Sequence, residues 1–363
     1  MKIVFNYQIF FQQQYGGVSN YFYHLYKELN KNKDNQIKIH APIHKNSYLN
    51  KIVKENICGF FIKKIPSKLN PLINFYNKKI SEYYIKKSEP DILHNTYYYS
   101  QKINLIKTKK FCTVYDMINE KFPNYFTNSK EITKLKKKTI DDSDHVFCIS
   151  NNTKKDLVEL FNISEKKISI TYLASTLKKK DYDKNKKKIF NDCLLFVGSR
   201  KGYKNFYGLC EAFSRSKLLK NNFRIISFGG EKYSYYDKNI LEKFKISDKV
   251  LFFDDSNYDL SFLYQNVRAF IFPSFYEGFG LPLLEAMENN CVVISSNGGS
   301  LKEIGGKYIE YFDPYSSDDI IRAIEKILNS ETLMQNNILF GTNRSKDFSW
   351  EKCAALTLKK YSE

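Results

Sequence analysis

The sequence predicts an α/β protein made of two successive doubly wound parallel sheets. Apolar, β-rich runs alternate with longer amphipathic stretches almost from end to end, the pattern of parallel βαβ units. That alternation starts afresh near residue 193, and the two halves are separated by 178–188, a charge-dense segment with almost no apolar residues. A chain of 363 residues exceeds what one core usually serves, so two domains are expected. We place the first at 1–180, joined by a terminal helix over about 346–363, the linker at 178–188 and the second domain at 189–345.

In the first half the expected strands are 2–5, 37–40, 92–94, 111–114, 145–149 and 168–171. Helices fall between them, for example over 19–29 and 74–87, where apolar residues recur every three or four positions. The second half opens with a strand over 193–198 and continues with strands near 223–228, 250–253, 269–272, 292–295 and 308–311. Helices over 208–214, 260–265, 282–289 and 317–329 intervene. No repeat of 20 to 50 residues interrupts this order.

Composition narrows the class. Hydrophobic residues make up 42% and charged residues 27%, as in an ordinary folded protein. No apolar run approaches the roughly 20 residues that span a bilayer, and the first seven residues read as a strand rather than a signal peptide. A cytoplasmic location is expected, with the inner face of the plasma membrane as the place of any lipid contact. The seven cysteines (58, 112, 148, 193, 210, 291 and 353) show no CxxC pairing and read as small buried hydrophobes. The formal charge of +19 suits an anionic membrane or nucleic acid. Lysine supplies nearly all of it, alongside abundant Asn, Ile and Tyr, as AT-rich coding DNA would also dictate. A basic nucleic-acid-binding protein is the alternative of another class, but an RNP-like aromatic strand, a zinc site and an arginine-rich helix are all missing.

Ligands of open α/β sheets bind beyond the carboxyl ends of the strands. At one such end stands Phe272-Pro-Ser-Phe-Tyr-Glu277-Gly278-Phe279-Gly280-Leu281-Pro282-Leu-Leu-Glu285. A buried strand runs into a glycine-containing loop and then a helix with Pro282 in its first position. The glycines let backbone pass close to a ligand, and the helix start favours an anion. Glu277 before the turn and Glu285 in the first helical turn are placed to accept from neutral hydroxyls. Carboxylates repel phosphate, so the combination points to a sugar nucleotide, whose hydroxyls flank a pyrophosphate. A second strand end, Leu195-Phe-Val-Gly198-Ser-Arg200-Lys201-Gly-Tyr-Lys204-Asn205, offers an arginine fork and a lysine point charge. Arg200 is the first arginine of the chain, and Lys201 reads as an ordinary surface lysine.

These two segments resemble the retaining glycosyltransferases of the GT-B fold, family 4, whose donor motif is a Glu, seven residues and a second Glu. The resemblance implies two Rossmann-like domains facing a central cleft. It implies that Glu277 faces the transferred hexose and Glu285 the ribose hydroxyls, with Gly278, Phe279, Gly280 and Leu281 along the sugar and phosphate. Arg200 and Lys204, beside Gly198, would hold the diphosphate and stabilise the departing nucleotide, with no metal or other cofactor. Arg200 stands one position later than in the commonest family pattern.

The first half carries the remaining likeness. Gly16-Gly17-Val-Ser19-Asn20 follows the first strand and opens a helix that Ser19 or Asn20 can cap, and the family has a comparable Gly-Gly loop facing the donor phosphates. Tyr115-Asp116 stands where many relatives have His-Asp. Tyr115 can donate to the sugar but does not titrate near neutrality, and Asp116 positions the acceptor or Tyr115. His94 and Tyr97, at the end of the third strand, are the other acceptor-side candidates; for His94 a structural role reads equally well. Ser150 or Asn151 caps the helix after the fifth strand, and Trp350 anchors the terminal helix.

The implied reaction moves a hexose from a nucleotide diphosphate sugar to a growing, lipid-linked surface glycan. Similarity of 200–205 and 116–123 to bacterial surface-polysaccharide enzymes favours a GDP-sugar such as GDP-mannose, with a UDP-sugar or another acceptor as the alternative. Peripheral contact with an anionic membrane is a further expectation, with lysine runs at 134–138, 63–64 and 86–87 as candidates.

Overall fold

The computed structural model describes residues 1–99, 105–177, 179–180 and 189–363. The expected linker falls outside these residues except for Lys179 and Lys180. Two compact units result: Met1–Leu173 together with Trp350–Glu363, and Ala174–Ser349.

In the first unit the described strands are β1 (Lys2–Phe5), β2 (Gln36–His44), β3 (Ile57–Phe61), β4 (Ile92–Asn95), β5 (Lys109–Val114), β6 (His145–Cys148) and β7 (Ile168–Ile170). They form a parallel sheet in the order β3-β2-β1-β4-β5-β6-β7. The second unit holds β8 (Phe190–Val197), β9 (Arg224–Phe228), β10 (Val250–Phe253), β11 (Val267–Phe272), β12 (Val293–Ser296) and β13 (Glu310–Phe312). Its order is β10-β9-β8-β11-β12-β13, again parallel throughout. Parallel strands covered by helices on both faces need apolar residues at every position, not every second one. The run Cys193–Val197 in β8 is accordingly buried without interruption, as is Ala269–Phe272 in β11.

In each sheet the strand order reverses direction once, beside β1 and β4 in the first unit and beside β8 and β11 in the second. The crevice outside the strand ends at such a reversal is where doubly wound sheets take ligands. The core of the second unit packs Phe196, Ile225, Ile271 and Ile294 against Phe206, Leu209, Phe213 and Ile324 of the covering helices. In the first unit Val114, Val146 and Cys148 meet Ile140 and Leu157.

Several local expectations need correction. The edge strand β3 did not register in the sequence, because Ile57-Cys-Gly-Phe-Phe is short and largely exposed. Helix Gly17–Leu29 is capped by neither Ser19 nor Asn20: Gly16 stands at its cap with no side-chain hydrogen bond there, and the Ser19 hydroxyl donates back to Gly16 O at 3.1 Å. Of the two residues offered as cap for the helix Asn151–Phe161, Ser150 takes the role, accepting from Thr153 N at 3.0 Å. Helix Leu281–Glu288 starts one residue before Pro282, which puts Glu285 beyond its first turn.

The terminal helix Trp350–Ser362 packs within the first unit. Trp350 stacks on His24 with ring centres 5.0 Å apart, and buried Tyr361 donates to or accepts from His94 Nδ1 at 2.5 Å. The seven cysteines are free thiols, all buried except half-buried Cys58. Among the described residues no helix is long and apolar enough to cross a membrane.

Candidate functional site

In the second unit the site grows from the loops that leave β8 and β11. Gly198 follows β8, and a short 3-10 turn, Gly202–Lys204, lifts Lys204 beside it. From the end of β11, Pro273 to Gly280 form a buried loop. The two segments are tied through backbone, Phe275 N donating to Tyr203 O at 2.8 Å. Lys204 Nζ then donates to Glu277 Oε1 at 2.7 Å, and Ser274 Oγ donates to the same oxygen at 2.7 Å. Glu277 is only 7% exposed. A carboxylate this buried is tolerated because a cation and a hydroxyl both meet it.

A third loop supports the second. Ser300 donates to Glu277 O through both its amide and its hydroxyl, each at 3.0 Å. Gly299 (φ +60°) lies so close that an added Cβ would come within 2.3 Å of that same carbonyl, so neither the backbone angle nor the space admits another residue. Gly298-Gly299-Ser300, after β12, escaped the sequence reading; a glycine pair at a strand end was the signal that pointed to it.

Past Gly280 (φ +93°) the helix Leu281–Glu288 begins. Pro282 has no amide hydrogen, and the amides of Leu283 and Leu284 bond back to Gly280 O. Phe279 is buried with its ring 5.7 Å from that of Phe348. Burial, and then the neighbouring Glu288 carboxylate, push the Glu285 carboxyl up to about 7, with the Tyr264 hydroxyl pulling it partly back.

Arg200 departs from the role expected of it. Its side chain is 5% exposed and points into the unit: Nε donates to Asp237 Oδ1 at 3.0 Å, Nη1 to Gly229 O at 3.3 Å, and Nη2 to Glu231 O. Its Cζ lies 5.0 Å from the centre of the Phe252 ring. Asp237 in turn accepts from Tyr207 Oη at 2.9 Å and closes a capping box with Ser234 at the start of helix Tyr235–Lys243. Burial raises the Asp237 carboxyl, and its hydrogen bonds from Ser234, Arg200 and Tyr207 outweigh that and hold it below the usual carboxylate range. A fork that already serves three protein oxygens fastens the loop after β8 to the loop after β9. The exposed neighbour Lys201 pairs with Glu231 at 2.8 Å.

In the first unit Gly16 and Gly17 open the helix Gly17–Leu29; an added Cβ at Gly16 would collide with the Gln13 amide at 2.3 Å, whereas one at Gly17 would meet nothing within 4 Å. Tyr115 and Asp116 leave β5. Tyr115 is buried, and its hydroxyl has no hydrogen-bond partner among the described residues; burial holds it well above the ordinary phenol range. Asp116 is half-buried and accepts from Ile118 N at 3.0 Å. Tyr97, after β4, is half-buried beside Tyr98, the ring centres 4.5 Å apart, and burial raises its hydroxyl to about 12.

His94 is wholly enclosed, bonded to Tyr361 Oη at 2.5 Å and to Thr113 Oγ1 at 2.9 Å. Burial drives its pKa down to about 3. Both ring nitrogens are taken by core hydroxyls, so it lines no pocket. Lys136 is another departure. Counted in the basic run 134–138, its side chain has no exposure; Nζ donates to Glu120 Oε2 at 2.7 Å and to Asp116 O at 2.9 Å. Its place one turn from Ile132 and one from Ile140, on the apolar side of the helix Ser129–Asp141, was the available sign.

The comparisons with known proteins agree with this architecture. A family model described as Glycosyl transferases group 1 matches residues 174–343, and one described as Glycosyltransferase Family 4 matches residues 15–174. The chain is 28% identical over 243 residues to O-antigen chain mannosyltransferase B of Escherichia coli, an alignment spanning 61% of each. It is 26% identical over 231 residues to O-antigen chain mannosyltransferase RfbU of Salmonella typhimurium, spanning 62% of this chain and 64% of that one. The matches thus cover less than two thirds of these relatives' lengths. In fold it is similar to sucrose-phosphate synthase from Thermosynechococcus elongatus, with a TM-score of 0.79 at 16% identity over 99% of this chain and 98% of the other.

Proposed function

Since the chain belongs to the family 4 glycosyltransferases of the GT-B fold, we propose that it transfers a hexose from a nucleotide diphosphate sugar to a glycan, with retention at the anomeric carbon. The observation that carries this reading is the Lys204–Glu277 pair at the sheet's reversal point, a cation and an acceptor held side by side at 2.7 Å. Glu277 Oε1 is occupied by Lys204 and Ser274, so Oε2 is the oxygen assigned to a hexose hydroxyl. Glu285 takes the ribose hydroxyls, and Gly278 to Leu281 run along the sugar and phosphate. Lys204 stabilises charge that grows on the diphosphate as the anomeric carbon–oxygen bond breaks. The acceptor oxygen bonds to that carbon from the same face, and its proton passes to the departing phosphate oxygen. On this reading the protein's own cation does the work of a divalent ion.

Arg200 acts here as a positioning residue, fixing the turn that presents Lys204. In the first unit Asp116 and Tyr97 order the acceptor. The named activities of the two relatives favour mannose, and hence a GDP-sugar, with a lipid-linked surface glycan as acceptor and an anionic membrane as its setting.

A thermal-shift series with GDP, UDP, ADP and dTDP ranks the bases, because a ligand that binds the native state raises its melting temperature. Incubation with labelled GDP-mannose and the corresponding UDP-hexoses then reads donor turnover. The largest shift and turnover are expected with the guanine nucleotide. A larger response to UDP replaces the donor, and no response to any of the four overturns the reading.

A further inference from the structure

The helix Asn70–Ser88 is amphipathic in the inverse sense. Its buried residues are Asn77, Ser81 and Ile85, a four-residue stripe that is mostly polar. Asn77 explains how this is tolerated: its side-chain amide accepts from Ile43 N at 2.7 Å and donates to Ile43 O at 2.8 Å, completing the hydrogen bonding of β2. The apolar residues are the ones outside. Leu72, Phe75 and Tyr83 are 67, 59 and 58% exposed. Leu72, Tyr76, Lys79, Tyr83 and Lys86 follow three- and four-residue spacing, so they share one face.

The chain leading into this helix repeats the arrangement. β3 is the edge strand of its sheet, and Phe60 at its end is 78% exposed, with Phe61, Ile62 and Leu69 also exposed. Exposed apolar side chains gathered along one such stretch of chain mark an interaction site.

Charge selects the partner. Residues 57–88 hold seven lysines and a single acid, Glu82. A second copy of the chain would bring the same positive charge against itself. Nucleic acid would use the aromatic rings but gains nothing from Leu69, Leu72 and Ile62. An interface of acyl chains beneath anionic headgroups satisfies both sets, because aliphatic and aromatic side chains enter the boundary while lysines reach the headgroups. We propose that this face, from Phe60 through Lys87, docks the protein on an anionic lipid bilayer. The proposal builds on the lipid-linked acceptor in the reading above, but its test does not depend on catalysis.

The test is co-flotation of the full chain with neutral phosphatidylcholine vesicles and with vesicles containing phosphatidylglycerol, at low and high salt. Recovery should be higher with the anionic vesicles and should fall with salt. Leu72→Ser with Phe75→Ser and Tyr83→Ser should lower partitioning about tenfold, as should Lys63→Glu with Lys64→Glu. The matched pair Lys217→Glu with Lys243→Glu, two exposed lysines of the second unit, should leave it unchanged. Circular dichroism and melting temperature establish that each variant is folded, and donor hydrolysis in solution should stay within twofold of the parent, about the scatter of a surface change. Equal recovery on both vesicle types, or an equal loss in the Lys217/Lys243 pair, overturns the proposal. Loss of hydrolysis in the parent protein instead overturns the enzymatic reading and leaves the docking result standing.

Discussion

Lys204 Nζ and Glu277 Oε1 are hydrogen-bonded at 2.7 Å although the residues lie 73 positions apart in sequence. The contact exists because β8 and β11 are neighbours in the sheet. Removing either partner has different consequences. Lys204→Ala strands a mostly buried carboxylate with Ser274 alone, so both stability and turnover should fall, the latter by about 100- to 1000-fold. Glu277→Gln keeps the shape and removes the charge, so turnover should fall with little change in melting temperature. Steady-state transfer rates and thermal melts check both, and parent-like turnover in the pair of variants contradicts their assignment.

Glu285 should make donor binding depend on pH. With its carboxyl pushed up to about 7 in the free protein, acid keeps it protonated, whereas ribose hydroxyls are better accepted by the ionised form. Binding therefore favours proton release, and donor affinity should rise with pH through about 7 before levelling off. Titration calorimetry across that range should show the rise in the parent protein and a flat profile in Glu285→Gln. The stability effect has the opposite sense: a raised folded pKa contributes stability at low pH that is lost as pH climbs through about 7.

Acid should weaken the first unit through its histidines. Burial lowers His94 to about 3 and His24, His40 and His44 to about 4. Each lies below its unfolded value of about 6.5, so the unfolded chain binds more protons once pH drops beneath that value. Melting temperature should hold near neutrality and fall steadily toward about pH 4. His94→Gln should start lower, by about 1–3 kcal/mol from its lost partners, and fall less steeply.

The Arg200–Asp237 pair should behave as one structural unit. Arg200→Met and Asp237→Asn are each expected to destabilise, and the double variant should cost less than their sum, with a coupling of about 0.5–3 kcal/mol. Additive losses in denaturant unfolding would mean the two side chains act separately.

Tyr115→Phe separates folding from chemistry. Its hydroxyl is buried without a partner among the described residues, so deleting it should leave stability unchanged or slightly raised. Turnover should drop about tenfold if the hydroxyl meets the sugar, a loss of roughly 1.4 kcal/mol. Unchanged kcat/KM removes Tyr115 from the site.

The parallel sheets were legible because strands buried on both faces leave continuous apolar runs, and the Glu277–Glu285 segment because proline, glycine and carboxylates occur there in one short stretch. What sequence could not convey was the direction of a side chain. Arg200 and Lys204 share a strand end and a charge, yet Asp237, supplied by a distant helix, draws one inward while Glu277 holds the other beside the loop. Lys136 was counted with its exposed neighbours because a buried lysine needs a partner that only folding brings, here Glu120. His94 likewise owes its enclosure to Tyr361, 267 residues away.

That last pairing bears on how the polypeptide is made. Tyr361 lies against His94, Phe111 and Phe147 in the centre of the first unit, yet residues 174–349, an entire second unit, are translated before it. The nascent chain therefore carries an unfinished first unit, with a gap open where the helix Trp350–Ser362 will seat, throughout synthesis of the second. Sealing waits for that helix, and a premature stop codon ahead of Tyr361 would deprive the amino-terminal half, not the half just synthesised, of its keystone.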